Sequence, residues 1–264
     1  MRRSCAAVLA AMCALLAYSG AERGAAAQAD TPVIAAAADL KFALPEVAAE
    51  FKKQTGHELK LVFGSSGQFA TQIENGAPFQ LFLSADESYV RRLAAKGLTQ
   101  GDGVLYAVGR IVLFTPNGTP LRPDPELKDL RAALSDGRVK RFAIANPEHA
   151  PYGRAAREAL QRAGIWREIE PKLVLGENAV QAMQFAASGS SQGGIVPLSL
   201  ALAPDAVKLG RAASIPDDWY APLRQRMALL RSAGPVATAF HEYLQTPPAR
   251  EILARYGFAL PVKS

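Results

Sequence analysis

Two short runs of small residues are the features of this sequence that could do chemistry. The first extends from Ala35 to Lys41 and contains Asp39, and the second, Gly-Ser-Ser-Gly-Gln, extends from Gly64 to Gln68. Each lies between an apolar segment typical of a buried strand and an amphipathic segment typical of a helix. The first amide groups of a helix have no acceptor within it and carry a partial positive charge. Each run therefore predicts a helix start that can bind an anion.

Two later turns have the same character. One extends from Asn146 to Gly153, before a predicted helix that begins near Arg154, and the other from Gly176 to Ala179. Four helix starts around one cleft would offer many N–H donors and little side-chain charge, which suits a small dianion held by hydrogen bonds. Taken one at a time, Asp39 and Ser66 are better interpreted as ordinary helix caps, and it is their parallel position after successive strands that favours an anion site.

The elements that would position these turns alternate between strand and helix. Strand patterns at 32–37, 58–63 and 80–84 alternate with helical patterns at 40–51, 69–73 and 86–97. This order predicts a mostly parallel sheet flanked by helices. One long strand, Tyr106 to Thr115, then leads into a second set of the same kind, and an extended segment at 219–230 leads back. Two α/β lobes joined by two crossings predict a ligand cleft between them.

The N-terminus predicts a secretory signal peptide, residues 1–29. Arg2 and Arg3 precede an apolar run from Ala6 to Ala17, and a small-residue stretch follows, with cleavage expected just before Asp30. The apolar run is too short to span a bilayer, and Cys13 follows Ala-Ala-Met, a poor lipoprotein cleavage sequence, so we expect a freely soluble exported protein.

The mature chain would contain no cysteine, because Cys5 and Cys13 both lie in the signal peptide. A disulfide scaffold and a thiolate metal site are thereby excluded. About 235 residues remain, enough for two lobes, which we place at 30–108 plus 222–264 and at 109–221. The formal charge falls from +6 to +4, and the basic residues are scattered, so we expect no nucleic-acid partner.

Sequence patterns for catalysis are weak. The segment 189–193 matches G-x-S-x-G around Ser191, but it follows a predicted helix and precedes a strand, whereas a nucleophile elbow needs the opposite order. The histidines His57, His149 and His241 are far apart, and none has a second ligand at metal spacing. We therefore expect no catalytic residue, no cofactor and no protein-bound metal.

The same small-residue turns resemble those of the periplasmic molybdate-binding proteins of ABC transporters. The matching segments are 35–40, 63–67, 72–78, 81–86, 147–151, 194–196 and 255–258. The resemblance implies a two-lobed periplasmic-binding-protein fold that closes on a tetrahedral oxyanion, molybdate or tungstate, and passes it to a permease in the inner membrane. It implies a periplasmic binding protein that is not an enzyme, and we expect a monomer.

By position, the anion contacts of that family fall on five residues of this sequence. They are Asp39, Ser66, Tyr152, Ala179 and Pro197, with Ala38, Ser65, Gly67 and Lys41 in support. Two positions depart from the family pattern, which usually has serine at Asp39 and often tyrosine at Pro197. At Pro197 one hydroxyl donor is lost, and proline has no N–H to replace it.

Asp39 is the main anomaly, because an ionised carboxylate 4 Å from an anion costs about 4 kcal/mol per pair of charges at an effective dielectric of 20. It could cap its own helix, be neutralised by Lys41, or be protonated and donate a hydrogen bond. Other functions stay open: a receptor for another anion, including a protonated oxyanion, a cation receptor with Asp39, Glu148 and Tyr152 as oxygen ligands, or a secreted hydrolase using Ser191.

Overall fold

Two five-stranded sheets with flanking helices make up residues 31–261, the part of the chain that the computed structural model describes. The predicted two-lobed α/β fold is confirmed. We call the part built on the first sheet lobe I and the part built on the second lobe II. The predicted signal peptide lies outside the described residues.

Within residues 31–261 the chain forms ten strands. In chain order they are β1 (Val33–Ala37), β2 (Lys60–Gly64), β3 (Leu81–Ser84), β4 (Val104–Gly109), β5 (Ile111–Pro116), β6 (Phe142–Ala145), β7 (Leu173–Gly176), β8 (Gly194–Pro197), β9 (Gly210–Ser214) and β10 (Leu223–Leu229). The sheet of lobe I has the order β2-β1-β3-β10-β4, and that of lobe II β7-β6-β8-β5-β9. In each sheet the first three strands are parallel and the last two run antiparallel to their neighbours.

Helices connect and cover these strands. In chain order they are α1 (Ala43–Thr55), α2 (Ser66–Glu74), α3 (Glu87–Ala95), α4 (Lys128–Ser135), α5 (Pro151–Arg162), α6 (Trp166–Ile169), α7 (Ala179–Ala187), α8 (Leu198–Ala201), α9 (Pro204–Leu209), α10 (Pro235–Tyr243) and α11 (Pro247–Arg255). Three 3₁₀ turns are added at 38–40, 170–172 and 217–219. None of the helices in the described range is long and apolar enough to cross a bilayer.

The prediction of one continuous strand from Tyr106 to Thr115 is wrong, because the structure has two strands there. The chain leaves the sheet of lobe I at Gly109 and enters that of lobe II at Ile111, so Arg110 separates β4 from β5. Because both strands are apolar, the sequence shows one continuous strand pattern with no sign of the break. Because residues 31–261 belong to one compact unit, the boundaries placed at 108/109 and 221/222 stay a prediction.

Small side chains at the end of β1 allow the two lobes to meet closely. Ala37 and Ala38, together with Ala85 after β3, are buried against the core of lobe II. A larger side chain at these positions would hold the lobes apart, since packed interiors leave few voids. The alanine run therefore sets how near the helix starts of lobe II come to those of lobe I.

Candidate functional site

A small cavity lies where the carboxyl ends of β1, β2 and β3 meet two helix starts of lobe II. It is lined by Ala37, Ala38, Asp39, Gly64, Ser65, Ser66, Ala85, Ala150, Pro151, Tyr152 and Ala179. Its empty volume is about 200 Å³. That figure includes space open to solvent, so the enclosed part of the cavity is smaller and suits only a small ligand.

Three α-helices begin at the cavity and supply unpaired amides. Ser66 is the first residue of α2, Tyr152 the second of α5 and Ala179 the first of α7. Amides in the first turn of a helix have no acceptor within it, and the helix dipole gives that end a partial positive charge. The arrangement can hold an anion without a lysine, arginine or histidine in the lining.

Ser66 adds a hydroxyl donor. The side chain is buried, and its Oγ accepts a hydrogen bond from the Ala85 N–H at 3.0 Å. Among residues 31–261 the hydroxyl hydrogen has no acceptor of its own, so it can be donated into the cavity. Ser66 is not a helix cap, because Ser65 occupies the position before the helix.

Asp39 is buried in the cavity wall, with only 1% of its surface exposed. Its Oδ2 accepts hydrogen bonds from the Tyr152 hydroxyl at 2.8 Å and from Gln225 Nε2 at 2.5 Å. Its Oδ1 is equally buried and has no hydrogen-bond partner among the described residues. Asp39 thus presents one satisfied and one unsatisfied oxygen.

Two of the roles considered for Asp39 are wrong. Its side chain does not cap the 3₁₀ turn that contains it, because the carboxylate is drawn toward Tyr152 instead. Lys41 does not neutralise it, because Lys41 is exposed and its Nζ lies 5.0 Å from the centre of the Phe63 ring. Protonation of Asp39 is the remaining possibility of the three.

Burial raises the pKa of Asp39 to about 6, since a charged carboxylate is disfavoured away from water. The hydrogen bonds from Gln225 and Tyr152 oppose this rise, as do the nearby amides of Asp39 and Leu40, which fall short of hydrogen-bond geometry. Burial and the negative charge of Asp39 raise the pKa of the Tyr152 phenol, which therefore stays a hydrogen-bond donor.

Gln225 is a site residue that the sequence analysis missed. It is fully buried in β10, and its Oε1 accepts from the Tyr106 hydroxyl at 2.7 Å while its Nε2 reaches Asp39. The signal was present in the alternation of β10, since Gln225 shares the buried face with Leu223 and Met227. A polar residue on a buried strand face requires partners.

The structure brings most of the predicted binding residues together. Asp39, Ser66, Tyr152, Ala179, Ala38 and Ser65 all line the cavity. Pro197 does not, because it ends β8 opposite Ile111. Its neighbour Ser199 instead donates from Oγ to the Asp39 carbonyl at 2.8 Å. Gly67 and Lys41 also lie outside the lining.

Comparison with known proteins places the chain in a family. Residues 32–259 match the profile of the bacterial extracellular solute-binding proteins. The chain belongs to this family. The prediction that it is not an enzyme is thereby confirmed, because a solute-binding protein captures and releases a ligand.

Individual relatives agree with this assignment. The chain is 37% identical over 235 residues to the molybdate-binding protein ModA of Rhodobacter capsulatus, covering 88% of this chain and 89% of the relative. It is 37% identical over 238 residues to ModA of Azotobacter vinelandii, covering 89% and 92%. The solved periplasmic molybdate-binding protein of Azotobacter vinelandii superposes with a TM-score of 0.78 at 29% identity, covering 88% of this chain and all of that one.

Contacts between the lobes hold this solute-binding fold closed over the cavity. Arg154 of lobe II donates to the Tyr89 hydroxyl of lobe I at 2.8 Å and forms an ion pair with Asp86. Gln68 of lobe I donates to the Glu177 carboxylate of lobe II at 3.0 Å. The described structure is therefore a closed form, in which the cavity walls from both lobes are in place.

Two residues on which the rival functions depend, Ser191 and Glu148, lie outside the cavity, although Asp39 and Tyr152 line it. Ser191 is buried in a turn, where its Oγ lies within hydrogen-bond distance of the carbonyl oxygens of Phe185 and Gly193 and can donate its one hydrogen to either. The Glu148 side chain is 77% exposed and pairs with Arg157, outside the cavity lining. Within residues 31–261 no group of three His, Cys, Asp or Glu side chains is placed to hold a metal ion.

Proposed function

We propose that this protein binds molybdate in the cavity between its lobes and delivers it, in the periplasm, to the membrane permease of an ABC importer. The observation that carries the proposal is a cavity of about 200 Å³ walled by helix starts and the Ser66 hydroxyl, in a chain 37% identical to molybdate-binding proteins.

The chemistry of a tetrahedral dianion matches these walls. Four oxygens can accept hydrogen bonds from the N–H groups of Ser66, Tyr152 and Ala179, at the starts of α2, α5 and α7, and from the Ser66 hydroxyl. Hydrogen bonds to an ionised acceptor are roughly twice as strong as neutral ones, and they strengthen where water is excluded. A cation in the wall is unnecessary, and its absence keeps release to the permease feasible.

The proposal extends to the choice of anion, to export and to the partners. Tungstate binds as well, because it carries the same charge on the same tetrahedron and the donors contact only oxygens. The chain is exported by its N-terminal segment and acts as a monomer, with the oxyanion and the permease as its partners and no nucleic acid. It needs no cofactor, because the molybdenum arrives already surrounded by oxygens.

A thermal-shift panel tests the proposal. A ligand present at 100 times its dissociation constant stabilises a protein by about 2.7 kcal/mol, which is about 5–10 °C for a chain of this size. Molybdate and tungstate should give such shifts, and sulfate and phosphate smaller ones. A shift with Fe(III) alone would favour the cation receptor. Absence of any shift with molybdate, tungstate, chromate, sulfate or phosphate would contradict the proposal.

A further inference from the structure

One oxygen of the Asp39 carboxylate, a residue that lines the cavity, has no hydrogen-bond partner among the described residues. Oδ2 receives both available donors, Tyr152 and Gln225, whereas Oδ1 is buried without a partner in the part of the chain described. A buried acceptor that stays unpaired is destabilising, so native proteins rarely leave one without a reason. The partner of Oδ1 is therefore expected in the ligand.

No positively charged side chain of the described residues is paired with this carboxylate. In the described chain Asp39 forms no salt bridge, and the titratable groups facing it are the phenols of Tyr152 on α5 and Tyr106 on β4. Burial raises the pKa of both, so they stay neutral. Lys41, on its own segment, is exposed over Phe63.

The other elements packed on Asp39 add no charge that faces it. Helices α7 and α8 contain no titratable side chain, and β2 has only Lys60, at its far exposed end. Arg154 on α5 is paired with Asp86, and Arg226 on β10 with Glu87. An ionised Asp39 beside a bound dianion would be a repulsion that no neighbouring cation offsets.

We propose that Asp39 takes up one proton when the oxyanion binds, and that its Oδ1 then donates a hydrogen bond to an anion oxygen. The proton comes from solvent and is placed on Oδ1, because Oδ2 keeps its two donors. The repulsion becomes an attraction. The solvent or buffer acid loses its bond to the proton, the new O–H forms on Asp39, and no other bond changes. This inference rests on the proposed function and adds pH control to the same site.

In the ligand-free protein the Asp39 carboxylate is able to take up a proton on binding. Burial brings the pKa of Asp39 to about 6, so near pH 7.5 the free carboxylate is mostly ionised and must gain the proton on binding. Affinity for an anion that carries no proton should then fall about tenfold for each pH unit above the pKa and level off below it. A protonated oxyanion such as hydrogenphosphate would supply the proton itself, with no net uptake.

Isothermal titration calorimetry of the wild-type protein with molybdate tests the inference. Titrations at pH 7.5 in buffers of different ionisation enthalpy should report uptake of about one proton. The dissociation constant should rise about tenfold per unit between pH 6.5 and 8.5. Zero uptake with a constant affinity would overturn the inference and leave the proposed function standing. Absence of molybdate binding at every pH would overturn the proposed function.

The variant Asp39→Asn tests whether the proton taken up on binding goes to Asp39. Its amide can donate where the protonated Oδ1 would and still accept from Tyr152 and Gln225, so binding should show no proton uptake and a flat pH profile. At pH 8.5 the variant should bind at least tenfold more tightly than wild type. Asp205→Asn, which changes an exposed carboxylate on α9, is the matched control and should keep the wild-type uptake. Wild-type uptake in Asp39→Asn would place the proton elsewhere and overturn the assignment.

Discussion

Ser65 of lobe I donates its hydroxyl hydrogen to the carbonyl oxygen of His149 in lobe II, 2.5 Å away. The Gly67 N–H donates to the same oxygen at 3.0 Å. The start of α2 thus contacts lobe II and forms part of the cavity wall through Ser66. Closure of the lobes and completion of the anion site are consequently one event in this fold.

Gly67→Ala should block this event. A Cβ on Gly67 would lie 2.6 Å from the His149 carbonyl oxygen, which is across the cleft, and 2.9 Å from the Tyr89 hydroxyl of lobe I. We expect molybdate affinity to fall at least about tenfold, or 1.4 kcal/mol, with little change in anion-free stability. Calorimetry and urea unfolding measure the two effects. Gly234→Ala, whose Cβ would meet only Gln80 Oε1 at 3.4 Å, is the control. Equal affinity in both variants would refute obstruction of closure.

Ser66→Ala removes a donor to the anion and an acceptor for the Ala85 N–H. Hydrogen bonds to charged groups contribute about 1.5–3 kcal/mol, so affinity should fall about 10- to 100-fold. The unpaired Ala85 N–H should cost a further 1–3 kcal/mol, roughly, of anion-free stability. Ser135→Ala, at an exposed position ending α4, should change neither quantity. Unchanged molybdate affinity in Ser66→Ala would remove Ser66 from the site.

The raised pKa of Asp39 makes anion-free stability depend on pH. The folded chain holds this proton with a pKa of about 6 against an ordinary value of 3.8, so stability is lost as pH rises from about 4 to 6. The loss amounts to about 3 kcal/mol at most. Asp39→Asn has no carboxyl proton to lose, so this pH-dependent loss is absent from the variant. Its free energy of unfolding should therefore exceed that of wild type by an amount that grows from pH 4 to 6 and then stays constant. A difference independent of pH in urea titrations would contradict this assignment.

Arg154 should act as a latch that favours the closed form. Its guanidinium is half-buried between Asp86 and Tyr89 of lobe I. Arg154→Ala should weaken molybdate binding by about 2- to 10-fold, since partly exposed pairs contribute on the order of 1 kcal/mol. The loss should be smaller at high salt, because screening already weakens the wild-type pair. Arg162→Ala, at the exposed end of the same helix, is the control. A similar loss in Arg162→Ala would rule out the latch.

Much of the site could be predicted because its signals are local. Parallel strands end at the same edge of a sheet, so the small-residue turns after β1 and β2 had to converge. Local signals also mark the bounds of α7, since Asn178 caps its start and a Ser-Gly stretch follows its end. These features depend on backbone conformation over a few residues.

The parts that escaped prediction depend on distant residues. Asp39 is joined to Tyr152, 113 residues away, and to Gln225, 186 residues away, and no local pattern reports such a network. Strand β9, Gly210–Ser214, was missed because its small and polar residues lack an apolar pattern, and it is held at a sheet edge by pairing with β5.

A crystal structure of the protein grown with molybdate, with anomalous diffraction recorded at the molybdenum edge, tests the central claim most directly. We expect one anomalous peak per chain, in the cavity, with oxygens in hydrogen-bond distance of Ser66 Oγ, of the first-turn amides of Tyr152 and Ala179, and of Asp39 Oδ1. A cavity without a peak, or molybdenum bound only elsewhere on the surface, would contradict it.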